Sequence, residues 1–326
     1  MTKDKILKLL WEKADSYVSG AEIASRLGVS RAAVWKAMEQ LRAEGYIIDS
    51  VTNKGYRLGS DSDVLSARGV EKYLRHDKIR PQVYKSVDST NTLLKSLAAD
   101  GAGEGLAIIA SEQTGGRGRM GRSFYSPADS GIYMSLLLRP EISAARAAGI
   151  TACAAVAVAE AIEELSGKKT EIKWVNDVLI GGKKVCGILT EASLDCESGL
   201  MNYAIVGIGI NALTPPGGFP EELRDIASSV FTERRVPELR CRLAALVLDK
   251  LMDYYEKRDA SAFFDGYKSR SAVLGKDVYI LSPGREPVAA AAIDLAEDFS
   301  LIVRLESGEI KRVNSGEVSI RTKQVP

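Results

Sequence analysis

A break at Gly28-Val29, set between two runs of helical hydrophobic spacing, constrains this chain more than any other feature. Before it, Ser19 and Glu22 stand in the spacing of a capping box, and Ile23 and Leu27 share one face of the short helix they would open. After it, Ser30 caps a second helix that carries Val34, Met38 and Leu41 and stops at Gly45. Upstream, Ile6, Leu9 and Leu10 trace a further helical stripe. Downstream, Tyr46 to Val51, then Asn53-Lys54-Gly55, then Tyr56-Arg57-Leu58 predict strand, turn and strand.

Helix, short helix, tight turn, helix and hairpin is the order of a winged helix-turn-helix, in which the turn length sets the angle at which the last helix can enter a major groove. Near its start that helix offers Ser30, Arg31, Ala32, Trp35 and Lys36 as the candidate DNA-binding set. Arg31 and Lys36 suit phosphates or guanine edges, and Ser30 suits a phosphate or base edge. Residues 1–60 hold 10 basic against 7 acidic side chains, a local excess in a chain whose 44 basic and 43 acidic residues otherwise nearly cancel. A DNA-reading module fits that imbalance, and a three-helix interaction domain with solvated charges is the competing reading.

The rest of the 326 residues reads as two further units. Residues 61–66 are the expected linker. From there, strands at 82–87, 105–112, 132–138, 171–174 and 204–210 and a hairpin at 177–192 alternate with helices near 67–76, 90–99, 144–166, 220–230 and 238–257. Hairpin-joined strands with grouped helices predict a mixed α/β domain with a largely antiparallel sheet. After Arg270 the hydrophobic period falls to two, giving short strands at 278–281, 287–295, 301–305, 310–313 and 318–320, a small β-barrel. The expectation is an α+β multidomain chain divided at 1–62, 63–268 and 269–326.

Composition removes several chemistries. The single histidine, His76, excludes His-based zinc sites and makes a Ser-His-Asp triad untenable; its polar neighbours predict a solvated position. Cys153, Cys186, Cys196 and Cys241 lack metal-binding spacings and sit among small packing residues. No metal ligand set is expected. The alanine-rich run 147–162 is too short and small-residued to span a bilayer, and no export signal is read, so a cytoplasmic, membrane-free protein is expected.

Four segments carry chemistry. Gly115-Gly-Arg-Gly-Arg-Met-Gly-Arg122 contains a literal G-x-G-x-x-G, but Ser-Phe-Tyr-Ser-Pro follows and cannot open the helix that a dinucleotide fingerprint needs. What remains is a glycine loop with Arg117, Arg119 and Arg122, suited to wrapping an anionic ligand, with an RNA-contacting patch or a surface turn as alternatives. Lys173-Trp-Val-Asn-Asp177 places a cation, an amide and a carboxylate at a strand end, a set that an ordinary strand-to-turn boundary also explains. Asp88-Ser-Thr-Asn91 heads a helix, for which capping alone would account. Gly207-Ile-Gly-Ile-Asn211 alternates glycine along a strand, open to a flat ligand or to a bulge.

In this order, with Glu112-Gln113 and Lys184-Val-Cys-Gly-Ile-Leu189, these segments resemble the biotin protein ligases, and the N-terminal module resembles their bifunctional subclass, the biotin operon repressors. The resemblance implies a class II synthetase-like central domain and an SH3-like C-terminal barrel. It implies ATP and biotin as substrates with Mg²⁺ on the nucleotide, formation of biotinyl-5′-AMP, and transfer of biotin to a lysine of a biotin carboxyl carrier protein. It also implies operator DNA as a partner and a homodimer when adenylate is bound. Ser89, Thr90, Asn91, Gln113, Arg117, Gly118, Arg119 and Lys173 match biotin-site positions; Arg119, Asn176 and Asn211 match the nucleotide side; Lys173, Arg117 and Arg119 are the implied catalytic groups. Carboxylate and triphosphate are both anions, so cations must bring them together. Val175 stands where the family usually has proline, and Met120 at a variable place in the loop. The alternatives are a biotin-sensing transcription factor without ligase activity, a ligase whose N-terminal module reads no DNA, and a lipoate ligase.

Overall fold

A computed structural model describes residues 2–322 except 14–15, 60–61, 141, 144–146, 196, 198, 234–235, 258, 283 and 315–318, with backbone alone for 319–322. The N-terminal unit is α1 (Thr2–Glu12), α2 (Gly20–Leu27), α3 (Arg31–Ala43) and the hairpin β1 (Ile48–Val51) and β2 (Gly55–Leu58). Both serine caps form: Ser19 Oγ accepts from the Glu22 amide and Ser30 Oγ from the Ala33 amide. Gly28, at φ +64°, closes α2 in the left-handed conformation that glycine adopts without strain. Gly55 is required for a different reason, since a Cβ there would lie 2.1 Å from the Val18 carbonyl oxygen. Ile6, Leu10, Ile23, Met38 and Leu41 are fully buried in a core separate from that of the other units.

The expected linker is packed down. Ser62 and Asp63 are buried. Asp63 accepts from the backbone amide and the Nε of Arg240, both at 2.9 Å, and the Cys241 thiol lies 3.3 Å from the Val64 carbonyl oxygen. Asp61 lies outside the described residues.

The central unit comprises α4 (Ala67–Glu71), β3 (Arg80–Tyr84), α5 (Thr90–Ala99), β4 (Leu106–Ala110), β5 (Ile132–Leu138), α6 (Ala147–Ser166), β6 (Glu171–Lys173), β7 (Asp177–Ile180), β8 (Lys183–Leu194), β9 (Met201–Ile210), α7 (Leu239–Lys257) and α8 (Ser261–Ser269). Its seven strands run β3-β4-β5-β9-β8-β7-β6, and the β3–β4 pair is parallel while the other five are antiparallel. The alanine run of α6 is buried, its small side chains letting that helix lie close to both α7 and the sheet. No described helix is long and apolar enough to cross a membrane.

Three expectations change. The helix placed near 220–230 is a single 3₁₀ turn, Glu221–Leu223, after a stretch broken by Pro215, Pro216 and Pro220 and by Gly217 and Gly218 at positive φ. Helix α8 was not expected, because Gly266 interrupts its apolar pattern; the glycine instead allows close packing, a Cβ there reaching to 3.3 Å from Val156. His76 is not a solvated bystander: its ring is largely covered, with Nε2 2.8 Å from Asp253 Oδ1. Cys153, Cys186 and Cys241 are buried free thiols as the sequence suggests, and Cys196 lies outside the described residues.

The C-terminal strands β10 (Asp277–Leu281), β11 (Val288–Leu295), β12 (Leu301–Leu305), β13 (Ile310–Val313) and β14 (Ser319–Thr322) form an antiparallel sheet in the order β13-β12-β11-β10-β14. Residue 318, expected in the last strand, lies outside the described residues. The sheet's apolar face joins the central core: Phe299 stacks on Phe263 at 5.4 Å, and its carbonyl accepts from Trp174 Nε1 at 2.8 Å.

Candidate active site

A cleft opens over strands β8 and β9. Its floor is glycine by necessity. Gly187 pairs with Gly209 and Gly207 with Leu189, while the period of two sends Ile208 and Ile210 into the core. A Cβ on Gly207 would stand 2.1 Å from Asn91 Oδ1, and one on Gly209 would stand 2.5 Å from the Phe124 ring. A ligand here meets bare backbone.

One wall is the start of α5. Ser89 caps the helix through the Thr92 amide. The Thr90 amide and hydroxyl both donate to Gln113 Oε1, at 2.8 and 3.0 Å, and Gln113 Nε2 donates to Ser126 Oγ at 3.1 Å. Asn91 Nδ2 donates to Glu191 Oε2 at 2.9 Å and to the Leu189 carbonyl, and its Oδ1 lies 2.6 Å from Ser135 Oγ. These bonds fix both amide groups in one orientation, so the wall offers a set pattern of donors and acceptors.

The Arg-Gly loop closes the opposite side. It is a tight lobe: Gly118 N–H donates to the Arg122 carbonyl at 2.7 Å, and Arg119–Gly121 turn with Met120 at φ +56°. No helix opens after Gly121, in keeping with rejection of the dinucleotide fingerprint. Arg119 folds inward to donate to Asn176 Oδ1 at 3.2 Å, and burial lowers the pKa of its guanidinium. Arg117 is half exposed, with Nη1 3.7 Å from Glu191 Oε1.

Of the expected site residues, Ser89, Thr90, Asn91, Gln113, Arg117, Gly118, Arg119 and Asn176 line this one cleft. Lys173 and Asn211 are not among its lining residues. Lys173 sits in β6 opposite Asp177, which pairs in turn with Gly187 of the floor, so the register puts Lys173 on the cleft face of the sheet. A further cation, Lys184, lines the cleft, with Nζ 2.8 Å from Asp177 Oδ1 and 5.6 Å from the Phe124 ring centre. Asn211 works behind it, its Nδ2 donating to the carbonyls of Ser228 and Lys184 and so fixing the strand from which Lys184 projects. Lys184 went unassigned because Lys183-Lys184 beside a Gly-Gly turn reads as a solvated hairpin end; its spacing from Gly187 was the available signal. Phe124 was also missed, hidden in the segment used only to exclude a helix.

Burial drives the thiol pKa values of Cys153, Cys186 and Cys241 well up, so none of the three serves as a nucleophile. Among the described residues no group of three His, Cys, Asp or Glu side chains could hold a metal ion. On the N-terminal unit, Arg31, Ala32, Trp35 and Lys36 are exposed along one side of α3, Trp35 at 60%, while Ser30 is engaged as the helix cap.

A helix-turn-helix head joined to a cation-lined, glycine-floored cleft defines an enzyme that handles anionic substrates and carries a DNA-binding module. The chain belongs to the biotin protein ligase family, in its bifunctional ligase/repressor branch. Residues 83–211 match the Biotin/lipoate A/B protein ligase family, residues 2–57 an HTH domain, and residues 273–321 the Biotin protein ligase C terminal domain. The bifunctional ligase/repressor BirA of Bacillus subtilis is 42% identical over 227 residues, 69% of each chain. That of Escherichia coli is 28% identical over 319 residues, 94% of each. Among solved structures, the biotin protein ligase from Aquifex aeolicus in complex with biotin and ATP is 30% identical, with a TM-score of 0.62 over 74% of this chain and 99% of that one.

Proposed function

We infer that the protein is an ATP-dependent biotin protein ligase that also represses transcription by binding operator DNA. The observation that carries the ligase reading is the convergence of Arg117, Arg119 and Lys184 on one glycine-floored cleft in a chain of this family. A biotin carboxylate oxygen attacks the α-phosphorus of ATP, the bond to pyrophosphate breaks, and biotinyl-5′-AMP forms. A carrier lysine amine then attacks the acyl carbon, AMP leaves with the bonding pair, and the amine loses its proton. Thr90, Asn91 and Gln113 orient biotin, Lys173, Lys184 and Arg117 neutralise its carboxylate and the α-phosphate, and Arg119 with Asn176 serves the nucleotide side. Mg²⁺ would supply charge neutralisation on the triphosphate, and Asp177 is the carboxylate beside the cleft that could help to hold it. A pure biotin sensor would have no use for three cations at the reacting centre.

The domains are read as 1–62, 63–268 and 269–326, with the central unit class II synthetase-like and the last an SH3-like barrel. Repression requires two half-sites, hence a homodimer formed when the adenylate orders the Arg-Gly loop. A DNA target and buried free thiols suit a cytoplasmic location.

Purified protein incubated with labelled biotin, ATP·Mg²⁺ and a carrier domain should transfer label to the carrier, and a sample forming neither adenylate nor product would overturn the ligase reading. Gly207→Ala tests the floor. The methyl displaces Asn91, so biotin affinity measured by calorimetry should fall by about tenfold or more while the circular dichroism spectrum is retained. Unchanged affinity would place biotin elsewhere.

A further inference from the structure

We propose that Trp35 is a specificity-determining residue of the head, reading a thymine in the major groove through that base's C5-methyl group and O4 oxygen. The proposal rests on the repressor reading and names a base that the third helix selects.

Trp35 stands on the outer face of α3, whose inner positions Val34, Ala37, Met38 and Leu41 are buried in the head's core. It is 60% exposed, whereas Trp174 is buried and Trp11 packs against the head's core. A lone exposed apolar side chain is ordinary, so its neighbours decide the matter. Arg31 and Ala32 are exposed one turn before it and Lys36 directly after it. One turn further on, Glu39 pairs with Arg42 at 2.7 Å and puts a carboxylate on the helix surface. A carboxylate repels phosphate, so the cations and the ring are confined to the first two turns, the part of a recognition helix that reaches base edges. Two copies of the chain meeting on this face would set Arg31 and Lys36 against their own like. Duplex DNA instead offers phosphates to the cations and base edges to the ring between them.

The chemistry of the side chain then selects the base. Indole has a single donor, Nε1–H, no acceptor, and otherwise a hydrocarbon edge. In the major groove thymine sets an acceptor, O4, beside a methyl group. Adenine and cytosine each turn an amino donor to the groove, which indole cannot accept, and a donor covered without a partner is costly. Guanine offers acceptors but no methyl, and suits Arg31 better. Thymine alone uses both the N–H and the apolar edge of Trp35.

The experiment uses the full chain with biotin and ATP·Mg²⁺ to select duplexes from a randomised pool. Each thymine of a selected duplex is then replaced in turn by deoxyuridine, which removes only the methyl. At one thymine in each half-site the replacement should weaken wild-type binding by about fivefold, and binding of Trp35→Ala by less than about twofold. At the same position wild type should prefer thymine over 5-methylcytosine, which keeps the methyl but carries an amino group, by about tenfold. Trp35→Phe, which keeps the ring and loses the N–H, should retain the methyl effect and narrow that preference. Wild type indifferent to uracil at every thymine, or a methyl effect undiminished in Trp35→Ala, would overturn the proposal and leave the repressor reading standing. A single strand bound as tightly as the duplex would make the ring a stacking platform and overturn it as well. A wild type that retains no duplex would sink the repressor reading and the proposal with it.

Discussion

Lys184→Ala should slow adenylate formation by about 10²–10³-fold, the scale of losing one preorganised charge stabiliser at a reacting centre, and Lys173→Ala should slow it by a similar factor. The parity follows from where the two lysines stand. Lys184 lines the cleft with Asn176 and Arg119, and Lys173 lies on the same sheet face, opposite Asp177. Two anions must meet for an acyl-adenylate to form, and both lysines add positive charge to that supplied by the Arg-Gly loop. Lys184→Arg should not rescue the rate. The ammonium sits where a Cβ on Gly187 would be 2.8 Å away, and a planar fork does not fit a place shaped for a point charge. Both steps can be separated by following pyrophosphate release and carrier labelling in the same samples. An inactive Lys173→Ala beside an active Lys184→Ala would leave the role to Lys173 alone.

That pair of lysines marks how far the sequence could be read. The head was legible because its signals are local: a cap, a left-handed glycine and a hairpin turn act within a few residues of where they stand. Strand β5 and helix α5 fell on their expected bounds for the same reason, each being a strongly periodic run between clear punctuation. The Arg-Gly loop and the α5 start could be placed at the site by resemblance alone, since capping explains Ser89 as well as ligand binding does. Adding Lys184 to Lys173 required the register of β7 against β8, a hairpin whose irregularity between Val178 and Leu179 alternation alone does not reveal. Asn211 shows the same limit. Its bonds run to Lys184 and Ser228, 27 and 17 residues away in sequence. The packed segment after the head was missed because Asp-Ser-Asp is the composition of a loop, and its burial depends on an arginine far along the chain.

That arginine gives the largest expected effect on stability. Asp63→Ala should destabilise the junction between head and body by about 3–5 kcal/mol, the cost of stranding one member of a buried ion pair. Both side chains are nearly inaccessible, at 2% for Asp63 and 3% for Arg240. Arg240 spends its backbone amide, Nε and Nη2 on Asp63, leaving Nη1 without a partner among the described residues, and Nη2 also lies 3.8 Å from Asp129 in the segment that runs back to Phe124. With the carboxylate gone, a buried guanidinium loses its counter-charge and must either open the junction or draw in water. Hydrogen exchange localises the effect: at about 3 kcal/mol, amides of residues 62–66 and of the first turn of α7 should lose roughly a hundredfold in protection, while the core of α6 holds. The double variant Asp63→Leu/Arg240→Met removes both charges and should recover most of the loss, since an apolar pair carries no desolvation penalty. If Asp63→Ala exchanged like wild type, the pair would be a passenger, and the head would be held by other contacts, among them Tyr46 to Ser66, Asp4 to Arg68 and Trp11 to Lys72. Recovery in the double variant would instead show that the two charges act on each other, and that the head's placement depends on their burial.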